Sequence, residues 1–117
     1  MNIHEIVEKL KEKFSLEELN VNNNSCSIII DTLPVEIEEI ENSIIILVGL
    51  IGDPPIEKKE DFANLLLESN LALVYSKNHI IARNAESGSY VLLERISIEQ
   101  SSFPEFLEHL EKFADTL

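Results

Sequence analysis

Residues 26–51 read CSIIIDTLPVEIEEIENSIIILVGLI, and the way this stretch divides decides the fold. Cys26 to Asp31 is rich in β-branched Ile28, Ile29 and Ile30 and predicts a strand. Asp31-Thr32-Leu33-Pro34 predicts a turn. Val35 to Ile40 then alternates, with Val35 and Ile37 on one face and Glu36 and Glu38 on the other, the pattern of a strand with one wet side. Glu41-Asn42-Ser43 predicts a second turn. Ser43 to Ile51 runs almost wholly apolar, interrupted only by Gly49, which suits a central strand covered on both faces. Asp53-Pro54-Pro55 ends it, because proline cannot donate to a strand ladder.

Upstream lies a helix. Ile3, Ile6, Val7, Leu10 and Phe14 recur at helical spacing, Asn2 is placed to cap the first turn and Glu5 to close a capping box. The pattern fades after Leu16 into the loop composition of residues 20–25. Downstream, Glu57 to Asn70 predicts a second helix. Phe62, Leu65, Leu66 and Ser69 form one face, and Ala63, Leu67 and Asn70 a neighbouring stripe. Leu71 to Ser76, His79 to Asn84 and Tyr90 to Ile96 have strand-like content, with breaks at Lys77-Asn78 and Ser87-Gly88-Ser89. Ser102 caps a last helix with Pro104 in its first turn and Glu105 completing a capping box, and Phe103, Phe106, Leu107, Leu110, Phe113, Ala114 and Leu117 share one face. The order is α-βββ-α-ββ(β)-α. This is an α+β domain in which helices pack on a twisted antiparallel sheet. With 117 residues and neither repeat nor linker, one domain over residues 1–117 is expected.

Lys and Arg number 9 against 22 Asp and Glu, a net charge of −13. Phosphate backbones and anionic membranes attract clustered cations, so neither nucleic acid nor membrane is an expected partner, whereas a basic protein is. The apolar run in the third strand is far short of the roughly 20 residues of a membrane helix. The N-terminus lacks a basic start and a continuous apolar stretch, so no secretory leader is expected, and a single cysteine allows no internal disulfide. The chain therefore reads as cytoplasmic.

Little in the sequence carries chemistry. Three glycines, Gly49, Gly52 and Gly88, build no phosphate-cradling loop, and no cofactor is expected. Cys26 reads as a small buried residue rather than a nucleophile. His4, His79 and His109 share no ligand-type spacing and read as surface or boundary histidines, so no metal is expected. Glu36, Glu38, Glu39 and Glu41 form the densest acidic run; paired carboxylates can do acid–base work, but a solvated strand face is the better reading. No catalytic constellation is marked, and the chain does not read as an enzyme. What remains is apolar surface: a third strand that is an aggregation hazard at an open edge, and a second helix with more apolar area than one sheet face covers. Both point to a partner.

The segment Asn64-Leu65-Leu66-Leu67-Glu68-Ser69-Asn70-Leu71 resembles the leucine-leucine-glutamate-small-asparagine-leucine signature that ends the second helix of class I type III secretion chaperones. Ile80 to Asn84, Gly88 and Tyr90 to Arg95 look like the hairpin that follows it in that family, and Ile98 with Phe103 to Phe113 like its closing helix. The resemblance implies a cytosolic bacterial homodimer that binds the extended N-terminal segment of one secreted effector and keeps it soluble and export-competent without ATP. The secretion apparatus is a further partner it allows. By position in the family pattern, Ile6, Leu10, Phe14, Ile28 and Ile30 are candidates for the effector groove or its supporting core. Leu67, Asn70, Leu71 and Leu73 are candidates for the contact between copies. The alternative is an acidic immunity or inhibitor protein that neutralises a basic toxin or nuclease; it would bind a folded partner with strong salt dependence. An acidic hydrolase using Glu36 or Glu38 ranks third.

Overall fold

The computed structural model describes residues 1–16, 19–41, 44–76, 79–99 and 102–117. Its elements are α1 (Ile3–Phe14), β1 (Ser25–Ile30), β2 (Leu33–Glu41), β3 (Ile44–Gly52), α2 (Lys59–Ser76), β4 (Ile80–Arg83), β5 (Tyr90–Ser97) and α3 (Phe103–Thr116). The five strands form one sheet in the order β1-β2-β3-β5-β4, antiparallel throughout. The expected α+β architecture is present with five strands, and β3 is central.

Local chemistry sets most of the boundaries. Asp31 and Thr32 both have positive φ (49° and 70°) between the paired Ile30 and Leu33. This is the two-residue hairpin loop whose twist matches that of its strands. The turn is thus shorter than expected, and β2 begins at Leu33 rather than Val35. The Asn2 side chain accepts from the Glu5 N–H at 3.0 Å, while Glu39 Oε2 accepts from the Ile3 N–H at 2.9 Å. Two of the free N–H groups opening α1 are so satisfied, one of them by an acidic side chain at the positive end of the helix. Glu39 lies on the same face of β2 as Val35 and Ile37, the face that α1 covers, so the alternation rather than the acidic run decides its place; the register shifts only after it, between Glu39 and Glu41. Ser102 Oγ caps α3 by accepting from the Glu105 N–H. The turn expected at residues 41–43 and the break at residues 77–78 fall on Asn42, Ser43, Lys77 and Asn78, outside the described residues.

The second helix departs most from expectation. It does not end at Asn70 but runs to Ser76, so the extra strand expected over Leu71 to Ser76 is absent and that stretch is helical. Asn70-Leu71-Ala72-Leu73 contains no helix breaker, and leucine and alanine favour the helix.

One face of the sheet is covered by α1 and α3. Ile3, Ile6, Val7 and Leu10 from α1 and Phe106, Leu110 and Phe113 from α3 close over Ile28, Val35, Ile37, Ile45, Leu47, Leu92 and Ile96. Each large side chain so enclosed contributes about 1.5–3 kcal/mol. Leu117 lies against Gly49, where an added Cβ would come within 2.5 Å of its side chain. The opposite face carries Ile46, Val48, Val91 and Leu93, all half-buried, together with exposed Leu50 and Ile80. The expectation that β3 is covered on both sides therefore holds within a single chain for one side only.

Candidate partner-binding surfaces

A groove of about 440 Å³ opens where the end of α1, the strand β1 and α3 meet. Its lining includes Phe14, Leu16, Ile28, Ile29, Ile30, Leu107 and Leu110, with Asp31, Glu111 and Asp115 at the polar margin. Phe14 lies in the last turn of α1, where the helix ends on the left-handed Ser15, and is 45% exposed. Ile29 lies on the face of β1 opposite buried Ile28 and is 73% exposed. Because β1 is an end strand, alternate residues of its backbone turn N–H and C=O groups away from β2. Apolar side chains thus sit beside backbone able to pair with another strand. Of the five residues named as groove or supporting core, Phe14, Ile28 and Ile30 line this groove. Ile6 and Leu10 are fully enclosed beneath α1.

A second apolar surface runs along α2. Leu67 and Leu71, one turn apart, are 66% and 65% exposed, and Leu65 is also exposed. Leu73 packs instead against the core. Asn70 is half-buried, and its side chain is bound to the backbone of β4, with Ile81 N–H donating to Asn70 Oδ1 at 2.7 Å. Phe62 of α2 meets Tyr90 of β5 edge to face at 5.4 Å. These contacts hold α2 along the β4 margin and leave the Leu67–Leu71 stripe outside.

The histidine expectation needs correction. His79 is neither a surface nor a boundary residue but is 1% exposed, and it binds Glu94 of β5, itself 4% exposed. His79 Nε2 lies 2.5 Å from Glu94 Oε1, and His109 Nδ1 of α3 lies 2.7 Å from Glu94 Oε2. His79 also meets the Phe113 ring edge to face. A signal for Glu94 was present: Leu92, Glu94 and Ile96 alternate along β5, so Glu94 had to face inward and needed partners. The two histidines lie 15 residues to either side, and no local pattern selects them. Among the described residues, no group of three or more His, Cys, Asp or Glu is arranged to hold a metal ion.

On the other face of the sheet, burial first, then the hydrogen bond and charge of neighbouring Glu36, push the Glu38 carboxyl above its ordinary value. The folded state therefore holds this proton more tightly than the unfolded chain does. Its contribution to stability is present in acid and is lost as pH rises through the raised value. Glu38→Gln should accordingly melt at a higher temperature than the parent at pH 7. The gap should close below the ordinary glutamate value of 4.5. Thermal scans across this range check both signs; a gap that stays constant with pH would show that charge is not its cause.

No helix among the described residues is long and apolar enough to cross a membrane. A five-stranded antiparallel sheet with two helices on one face and a third along its margin also describes several solved chaperones. A chain of the HopA1-SchA chaperone–effector complex superposes with a TM-score of 0.76 at 17% identity, over 96% of this chain and 87% of that one. A chain of the ExsC-ExsE complex gives 0.78 at 13% identity, over 99% and 91%. A chain from the complex of the Yersinia pestis type III secretion chaperone SycH with a YscM2 fragment gives 0.65 at 17% identity, over 96% and 93%. The fold is thus that of type III secretion chaperones. The chain belongs to the Tir chaperone protein (CesT) family, whose model matches residues 5–117. A sequence search of curated proteins returns no match.

Proposed function

We propose that this protein is a cytoplasmic chaperone that binds an extended N-terminal segment of a secreted effector as a homodimer, without nucleotide and without catalysis, and that residues 1–117 act as one domain. The observation that carries this reading is the groove at β1, where exposed apolar side chains adjoin a free strand edge. An extended ligand loses conformational entropy on binding, so its affinity must come from many apolar contacts and added backbone hydrogen bonds. The groove offers both. Phe14, Ile28, Ile29 and Ile30 receive the ligand's side chains; Ile6 and Leu10 support them from below. Family membership, and solved relatives that are themselves chaperones in complex with effectors, favour this reading over neutralisation of a folded toxin.

The first test is co-expression with the neighbouring reading frame. A soluble complex is expected, with the partner's N-terminal segment protected from protease. A partner that is soluble, folded and exported equally well without this protein overturns the reading. Phe14→Asp and Ile29→Asp then test the groove. Each should weaken binding about tenfold or more, since burying such a side chain is worth roughly 1.5–3 kcal/mol. The melting temperature should hardly change, because both positions already face solvent. Unaltered affinity in both variants would place the ligand elsewhere.

A further inference from the structure

The sheet has two ends, β1 and β4, and they are treated differently. In an antiparallel ladder, alternate residues of an end strand direct both backbone groups outward. Ile80 to Arg83 lie opposite Leu93 to Tyr90 of β5. Both backbone groups of Ile81 are bonded to the side chain of Asn70 and so face away from β5, and by alternation His79 and Arg83 face away too. Two of them are already occupied from α2. Ile81 N–H donates to Asn70 Oδ1 at 2.7 Å, and Asn70 Nδ2 donates to the Ile81 carbonyl at 3.3 Å. His79 N–H donates to the carbonyl of Leu73 at 3.4 Å. A carboxamide that donates to and accepts from one residue of a strand makes the same pair of bonds a neighbouring strand would make. Asn70 is therefore not simply a surface residue of an apolar helix.

We propose that Asn70 closes the β4 end of the sheet to strand addition, so that β1 is the end left open to an extended partner. The inference rests on the proposed binding of an extended segment only for what occupies β1; the closure of β4 is a property of this chain alone. An open end strand is a template for pairing with another chain, and covering it is one of the ways proteins prevent that. Asn70 does so with one side chain while also anchoring α2.

Asn70→Ala tests this without any effector. The Ile81 amide should exchange with solvent about fivefold faster or more, the loss expected for a hydrogen bond worth about 1 kcal/mol. The Ile80 and Ala82 amides, which face β5, should stay protected. The freed end should pair with a second β4, so sedimentation should show a species of twice the parent mass that grows with concentration. Arg83→Pro added to Asn70→Ala removes an outward donor from an exposed residue of the same edge and should restore the parent mass. Asn70→Asp keeps the acceptor for Ile81 N–H and loses the donor; it should show the same heavier species in smaller amount. Three results overturn the proposal: exposure of the Ile81 amide with no change in mass, a heavier species that survives Arg83→Pro, or a lighter species. The last would assign Asn70 to the contact between copies. Loss of effector binding at β1 with the heavier species still formed would instead fail the proposed function and leave the closure of β4 standing.

Discussion

Leu67→Asp should convert the protein from dimer to monomer at micromolar concentration. Leu67 and Leu71 form an exposed apolar stripe on α2, and the chain that carries it gives them no cover. A symmetric interface uses the same patch twice, so one substitution places two carboxylates in it. Stranding an unpaired charge in a buried contact costs several kcal/mol, and about 4 kcal/mol raises a dissociation constant nearly a thousandfold. Because Leu67 faces solvent within one chain, the variant should keep its far-ultraviolet circular dichroism while light scattering reports half the parent mass. A parent that is already monomeric, or a variant that remains dimeric, removes α2 as the contact between copies.

Glu94→Ala should cause the largest loss of stability among single substitutions at polar positions. Glu94 is buried on the helix-facing side of β5 and accepts from imidazoles of α3 and of the segment entering β4. Truncation leaves His79 in an apolar enclosure with both ring nitrogens unpartnered, since its Nδ1 already lacks a hydrogen-bond partner. Leaving a buried imidazole unpartnered costs about 1–3 kcal/mol, and emptying the space of a buried side chain adds to it. For a domain of this length, that is a drop in melting temperature on the order of 10 °C or more. Glu94→Gln keeps the shape and one acceptor, so it should fall between parent and Glu94→Ala. The comparison must be made at one protein concentration, because the proposed association between copies would add to apparent stability. A drop of a few degrees for Glu94→Ala would mean that the two imidazoles find other partners.

Several features could be read directly from residue order. The apolar stripes of Ile3, Ile6, Val7 and Leu10 and of Phe106, Leu110 and Phe113 determined α1, α3 and the sides they bury, because helical spacing alone aligns these side chains. The alternation of Val35, Glu36, Ile37 and Glu38 determined which side of β2 meets the core. The excess of leucine in α2 announced a surface that a single chain does not cover. Period and composition act over a few residues, and here nothing distant opposed them.

Other features were decided only when distant segments met. Whether Leu71 to Ser76 is strand or helix is not settled by its apolar content, which suits either. In the fold, α2 continues and lays Asn70 and the carbonyl of Leu73 against the outward edge of β4, so the stretch serves that edge instead of extending the sheet. Glu39 lost its expected solvated place because it shares the face of Val35 and Ile37, and the start of α1 packs over that face and donates the Ile3 N–H to it. Glu94, His79 and His109 became one cluster because the sheet and α3 carried them together across 15 residues on each side. The apolar residues of α1 and β1 were legible as a set, but their division was not. Ile6 and Leu10 lie under the helix, while Phe14 and Ile29 stand at the groove. Which turn of a helix overhangs the end of a sheet depends on how the two pack, and that is a property of the tertiary structure alone.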